Sequence, residues 1–259
     1  MNGNQPDAKP AVSIRNVTKT FRLSGHRPRD LKTALLHPFR SHQASLEQFA
    51  ALRGISLDVP PGQSLGVIGA NGSGKSTLLR IMAGITRPSS GTLSIDGRVA
   101  ALLELGAGFH DQISGRDNAV LNAVLLGLSL QEARERLDDI IGFAELEEFI
   151  DEPMRTYSFG MFLRLGFSVA VHVQPEVLLV DEVLAVGDAE FQAKCFDHIE
   201  TLRARGVTIV IVSHELPAVE RFTDRVVLME RGLIVADGRP GDVIAQYRAQ
   251  AGAGTGASN

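Results

Sequence analysis

Apolar and polar positions alternate along residues 11–23 and again along 53–68, where Pro60-Pro61-Gly62 breaks the second run, so both stretches predict strands joined by turns. Residues 91–103 open with Gly91-Thr92-Leu93-Ser94-Ile95-Asp96-Gly97-Arg98-Val99, a short strand closed by an Asp-Gly turn. Residues 24–50 interrupt this β-rich opening and carry no clear strand periodicity. From 114 to 173 the period lengthens to that of helices. Asn118 to Leu128 is apolar with small residues, Leu130 to Ile141 alternates charge, and Phe159 to Val173 places Phe162, Leu165, Val169 and Val173 on one stripe. Strand and helix then take turns: Val177-Leu178-Leu179-Val180, a helix over 188–205, a strand from Val207 to Val212, a helix from Glu215 to Phe222, and two short strands around Gly232 and Gly238. This order predicts an α/β fold with a mostly parallel sheet that takes its ligand at the carboxyl ends of the strands. One domain is expected over 11–247, with β portions at 11–109 and 174–247 and a helical subdomain at 110–173 inserted between them. Residues 251–259 carry too little apolar surface to order themselves, and 1–10 and 248–259 are expected as flexible tails.

Composition narrows the partners. The chain has 259 residues, 44% hydrophobic and 22% charged, with a net charge of −4, so it lacks the overall basic field that nucleic-acid binders use. A lone cysteine, Cys195, excludes an internal disulfide and suits a reducing compartment. No run approaches the roughly 18–20 apolar residues that cross a bilayer, and the opening Met1-Asn2-Gly3-Asn4-Gln5-Pro6-Asp7 lacks the apolar core of a signal peptide. A cytosolic chain is expected, reaching a membrane through a partner or a surface patch. Between Arg15 and Arg53 stand eight basic residues (Arg15, Lys19, Arg22, Arg27, Arg29, Lys32, Arg40, Arg53) against Asp30 and Glu47. This local excess reads either as a solvated loop or as a surface facing anionic lipid head groups or an anionic substrate. The nine acidic residues between Glu132 and Glu152 read as a wet helix face.

The sharpest chemistry lies at residues 69–77, Gly-Ala-Asn-Gly-Ser-Gly-Lys-Ser-Thr, which satisfy every fixed position of the G-x-x-x-x-G-K-[ST] phosphate loop. Gly69, Gly72 and Gly74 let backbone N–H groups turn inward around a β-phosphate, with Asn71 and Ser73 between them. Lys75 supplies a positive charge to the β- and γ-phosphates, Ser76 a hydroxyl for Mg²⁺, and Thr77 opens the helix whose positive end faces the phosphates. The apolar Leu65-Gly66-Val67-Ile68 before the loop reads as a buried strand, so strand, loop and helix occur in the required order. Binding of ATP or GTP is the expectation.

The strand Val177 to Val180 ends in Asp181-Glu182. Some hundred residues after a complete phosphate loop, this pair supplies what the loop lacks: Asp181 to hold Mg²⁺ and Glu182 to orient or deprotonate an attacking water. His214, directly after the strand Val207 to Val212 in Val212-Ser213-His214-Glu215, projects where a γ-phosphate would lie.

Residues 69–77, Tyr157-Ser158-Phe159-Gly160-Met161, Asp181-Glu182, Ala185-Val186-Gly187-Asp188 and His214 occur in an order and spacing that resemble the nucleotide-binding subunits of ABC transporters over roughly 11–247. The resemblance implies a P-loop NTPase fold with a RecA-like parallel-sheet core, an antiparallel β portion at the N-terminal side and the inserted helical subdomain. It also implies ATP hydrolysis in a head-to-tail homodimer, where Ser158 and Gly160 of one copy close over the ATP held by the phosphate loop of the other while Asp188 communicates between the sites. By the same analogy Phe21 stacks on adenine, with Phe49 as the competing aromatic and a core position the alternative for either. Leu103-Glu104-Leu105-Gly106-Ala107-Gly108-Phe109-His110, Ser114-Gly115-Arg116-Asp117-Asn118 and the run Asp181 to Gln192 look like the branch that exports bacterial cell-surface polysaccharides and teichoic acids. In that branch the subunit sits at the cytoplasmic face of the bacterial inner membrane and drives an integral-membrane permease moving a lipid-linked glycan, with no nucleic-acid partner. The insertion at 24–50 resembles that branch too.

Two departures stand out. The family's Mg²⁺-touching glutamine has no counterpart in Leu103 to His110, where Glu104 is the candidate substitute, and Phe159 replaces the usual small residue of the signature. The sequence ends at Asn259 without the C-terminal carbohydrate-binding domain of some members, so no recognition of a glycan cap is expected. The competing expectations are an ABC ATPase for another substrate and a permease regulator that binds ATP without hydrolysing it. A soluble ABC ATPase of translation or DNA repair would need a second cassette or a long coiled coil.

Overall fold

A computed structural model describes residues 9–23, 47–103, 105–181 and 187–255. Two sheets form among them. The first is antiparallel, with β1 (Val12–Leu23) between β2 (Glu47–Val59) and β4 (Ser90–Ile95). The second has six strands in the order β5 (Val99–Ala101), β6 (Val177–Val180), β7 (Thr208–Val212), β3 (Ser64–Ile68), β8 (Arg225–Glu230) and β9 (Leu233–Gly238). Its neighbours pair in parallel up to β8, and β9 closes the edge antiparallel to β8. The Asp96-Gly97 turn therefore does more than join two strands: it passes the chain from one sheet to the other.

The period-2 pattern explains the layers. Val177, Leu179, Val210, Val212, Leu65, Val67, Val227 and Met229 all turn to one face, where they pack with the antiparallel sheet and α1 (Lys75–Met82). Leu178, Val180, Ile209 and Ile211 turn to the other, against α5 (Phe159–His172) and α6 (Ala189–Ala204). On that same side Ile68, Val226 and Leu228 meet α7 (Leu216–Phe222) and α8 (Pro240–Thr255). Contact is closest at Gly66, where a Cβ would stand 2.7 Å from Val219 Cγ1, so only glycine lets α7 lie on the sheet there. Each fully buried Val, Leu or Ile side chain stabilises this sandwich by roughly 1.5–3 kcal/mol.

The helical stretch comprises α2 (Gly115–Leu125), α3 (Leu130–Glu135), α4 (Leu137–Ala144) and α5, with a short 3₁₀ turn at Met154–Thr156. The single helix expected over 130–141 is two. The chain breaks at Arg136, because α3 buries only Ala133 while α4 buries Leu137, Ile140, Ile141 and Ala144 and needs its own axis. Where α4, α5 and α6 meet, Phe143 packs on Phe167, Phe191, His172 and His198, and the two imidazole rings lie 5.1 Å apart. Cys195 is buried beside them, its thiol pushed up to about 12 by burial.

Two further expectations need correcting. Residues 47–50, placed in the interruption without strand periodicity, belong to β2, since the end of β1 supplies hydrogen-bonding partners as far as Leu23 opposite Glu47. The stretch 248–255, expected as a flexible tail, continues α8, a helix the sequence reading did not foresee. Its alanine-rich run needs no apolar burial to favour helix, and Pro240 with Asp242 in the first turn are start signals. The remaining residues of the basic insertion, 24–46, lie outside the described residues. Of its flanks, Arg15 is paired with Asp58 at 2.5 Å and Lys19 donates to the Arg87 carbonyl.

Candidate functional site

The phosphate loop joins β3, whose five residues are all buried, to α1. Gly69, Gly72 and Gly74 have φ of +146°, +78° and +108°, values that L side chains rarely adopt. At Gly69 a Cβ would fall 2.2 Å from the Met229 carbonyl oxygen, and at Gly74 2.6 Å from that of Ala51, so two strands wall the loop from outside. Ser73 closes the turn, its N–H donating to Ala70 and its carbonyl accepting from Gly232. Lys75 is buried, and its Nζ donates to the carbonyls of Gly69 at 2.8 Å and Ala70 at 3.1 Å, which holds the ammonium inside the curve of the loop. Helix α1 starts from Gly74 without a side-chain cap or an acidic residue in its first turn, leaving its positive end to an anion. Asn71 and Ser76 are exposed at the mouth and Thr77 is half-buried.

Sheet register brings the second group to the same edge. Val67 of β3 pairs with Val212 of β7, and Ile211 pairs with Val180 of β6. His214 and Asp181, which follow those strands, therefore emerge beside the loop, and both line one pocket together with Ser213, Glu215 and Gln192. Gln192, on α6, was not anticipated from the sequence. The Ser76 hydroxyl and the Asp181 carboxylate are oxygen donors, the set that suits Mg²⁺. Glu182 and Glu104 lie outside the described residues.

Ser158, Gly160 and Asp188 are gathered elsewhere, in a groove of about 520 Å³ shared with Glu145, Phe149, Phe159 and Arg164. Ser158 caps α5, its Oγ accepting from Met161 N, and Asp188 caps α6, its Oδ1 accepting from Phe191 N. That backbone bond, and then the charge of Arg164, hold the Asp188 carboxyl below the usual carboxylate range. Phe159 points outward, 76% exposed. The preceding Tyr157 is fixed by its hydroxyl, which donates to the Phe149 carbonyl and is pushed up to about 12 by burial. Phe21 and Phe49 face each other across β1 and β2, 41% and 50% exposed, so neither is a core residue. Lys19 Nζ stands 5.1 Å from the Phe21 ring centre.

The sequence reading also passed over the residues that brace the loop after β5. Asn118 accepts from His110 N at 2.7 Å and donates to the carbonyls of His110 and Ser114, and Asn122 donates to Ala107 at 2.8 Å. The same loop lies flat on α5 at Gly166, where a Cβ would come 2.8 Å from Gly106 N. Two asparagines four apart in the run Asn118 to Leu128, whose other residues are apolar or small, were the available signal.

Comparison with known proteins fits this geometry. A family model described as "ABC transporter" matches residues 52–185, more than half of the chain and inclusive of the phosphate loop, Ser158, Gly160 and Asp181. The chain belongs to the ABC transporter family. ATP hydrolysis coupled to transport is the general activity of that family. Over 247 residues this ABC chain is 47% identical to the O-antigen export system ATP-binding protein RfbB of Myxococcus xanthus, covering 94% of the chain but only 56% of that protein. It is 45% identical over 241 residues to the Klebsiella pneumoniae protein of the same name, covering 93% of the chain and 98% of that protein. A solved dimeric ATP-binding cassette in a post-hydrolysis state with ADP and Pi matches at a TM-score of 0.69 and 21% identity, over 88% of this chain and 98% of that one, a likeness of fold.

Proposed function

We propose that this ABC chain is the ATP-hydrolysing subunit of an exporter that carries a lipid-linked cell-surface polysaccharide, of the O-antigen, capsule or teichoic acid type, across the cytoplasmic membrane. The observation that carries the ATPase half is the register that delivers Asp181 and His214 to the edge where the phosphate loop opens. Identity of 45–47% with two proteins named for O-antigen export supports the substrate class.

In this reading the N–H groups of residues 69–74 and the Lys75 ammonium grip the phosphates, and Ser76 with Asp181 holds the metal. Mg²⁺, when bound there, neutralises charge on the phosphate oxygens. Glu182 takes the proton of the attacking water or orients it, and His214 donates to the γ-phosphate. Catalysis then comes from positioning and charge compensation, not from a covalent intermediate. Phe21, opposite Phe49, offers its ring to adenine. Ser158, Gly160 and Asp188 face the nucleotide of a second copy in a head-to-tail homodimer. That dimer sits under permease subunits at the cytoplasmic face, consistent with no helix of the described residues being long and apolar enough to cross a membrane. Residues 11–247 form the working cassette.

The test is to reconstitute the chain with its permease in lipid and follow ATP hydrolysis with and without undecaprenyl-linked glycans. Stimulation by a lipid-linked glycan is the expected result. Hydrolysis indifferent to every glycan would return the substrate to another transporter class, and ATP binding without hydrolysis would make the chain a regulator.

A further inference from the structure

Arg164 is the sole ionisable residue between Phe159 and Val171 of α5, and its side chain is only 19% exposed. Its guanidinium reaches two other helices at once. Nη1 donates to Glu145 Oε2 at 3.0 Å, at the C-terminal cap of α4. Nη2 donates to Asp188 Oδ2 at 2.6 Å, at the N-terminal cap of α6. The group lies 4.7 Å from the centre of the Phe191 ring. Glu145 is itself held from the other side by Lys194 at 2.8 Å, so the acceptor is fixed before Arg164 meets it. Gly187 adopts φ +74°, and a Cβ there would stand 3.3 Å from Arg164 Nε, so the backbone reaches Asp188 by passing close along the arginine.

We propose that Arg164 is a positioning residue for ATP turnover, locking Asp188 to the helix that carries Ser158 and Gly160 so that the three meet a neighbouring copy's nucleotide as one unit. The inference rests on the preceding reading that this groove faces a second copy. Asp188 is 63% exposed and would otherwise sample several rotamers. Here both of its oxygens are engaged, Oδ1 by Phe191 N and Oδ2 by Arg164, which leaves the carboxylate one orientation. Arginine suits the task because its planar fork fixes the directions of the N–H groups that serve the two acceptors, whereas the donors of an ammonium rotate freely. Without Arg164, Glu145 keeps Lys194 and Asp188 keeps Phe191 N and solvent, so neither carboxylate is left buried and unpaired, and the variants should fold and report on position.

The test uses the full chain as wild type, Arg164→Met, Arg164→Lys, Asp188→Asn and the Arg164→Met/Asp188→Asn double variant. Steady-state hydrolysis gives kcat and KM, and sedimentation of the same set in a Glu182→Gln background gives the ATP-driven dimer. Arg164→Met should lower kcat about 10-fold with KM changed less than about 2-fold, and weaken the dimer by a similar factor, as expected for lost positioning with the nucleotide still bound. Arg164→Lys should recover part of both. In the Asp188→Asn background Arg164→Met should add less than about 2-fold, because the residue Arg164 acts through is already altered. Multiplicative effects, or an unchanged kcat in Arg164→Met, would overturn the inference while leaving the proposed function standing. If the wild type binds ATP without hydrolysing it, the proposed function fails and the dimer series decides the inference by the same criterion. A wild type that neither hydrolyses ATP nor dimerises with it overturns both.

Discussion

The phosphate loop and the Ser158 groove are built by opposite means. Around the loop, position is dictated by backbone: a fully buried β3, parallel neighbours in register, and glycines pressed against the carbonyls of Met229 and Ala51. Around the groove, position is dictated by side chains, with Ser158 and Asp188 each capping a helix and Arg164 bridging α4, α5 and α6. The first arrangement is a preformed cradle that an added methyl at Gly69 or Gly74 would break. The second can exchange partners without refolding, as the proposed head-to-tail contact with a second copy requires. A helix end left uncapped at Gly74 and one already capped at Ser158 express the same contrast.

The contrast breaks most sharply at Gly69. Gly69→Ala should abolish measurable ATP binding and cost about 3 kcal/mol or more in a denaturant titration, from the strained φ and the contact with Met229. Near-native affinity would show the loop to be no rigid cradle. Asn118→Ala, at the brace between the loop after β5 and α2, should destabilise by roughly 1–3 kcal/mol, because four part-buried hydrogen bonds to backbone are lost at once. Its effect on intrinsic ATP affinity should be slight. Ser158→Ala should cost about 1 kcal/mol through the lost cap and leave binding to the chain's own phosphate loop intact; reduced affinity in the isolated chain would unite the two regions that the structure separates.

The smallest effect concerns acid. Burial, and then the neighbouring His172, pushes His198 down to about 4, and burial likewise lowers His172. Protons are thus bound more readily by the unfolded chain. The contribution is fully present above the unfolded value of 6.5 and is lost as the pH falls toward about 4. Melting between pH 7 and pH 5 should show a decline of roughly 2–5 °C, and His198→Gln should flatten it.

Much of the phosphate side was legible in the sequence because its determinants are local: a strand, three glycines, a lysine, and carboxylate and imidazole groups immediately after apolar runs. Parallel-sheet order then brings Asp181 and His214 to the loop, as alternating β and α units imply. The groove was legible only in outline. Ser158, Gly160 and Asp188 came from resemblance, whereas Arg164 and Glu145 meet through a tertiary arrangement that no spacing announces. Helix α8 escaped because its buried contacts, Val243 and Ile244 with Tyr247 packed beside them, occupy only its first turns, too short a stripe to stand out in the sequence. The break at Arg136 escaped because the polar face of Leu130 to Ile141 reads continuously while its buried face does not.

Cys195 has a practical consequence. It is the chain's one thiol, it is fully buried, and its raised pKa leaves almost none of it as thiolate at neutral pH. Maleimide and disulfide reagents should pass it by in the folded chain. A single cysteine introduced at an exposed position, such as Glu190 beside the groove, would then be the sole labelling point, and a fluorophore or spin probe there would test the proposed closure between two copies without first removing the native residue.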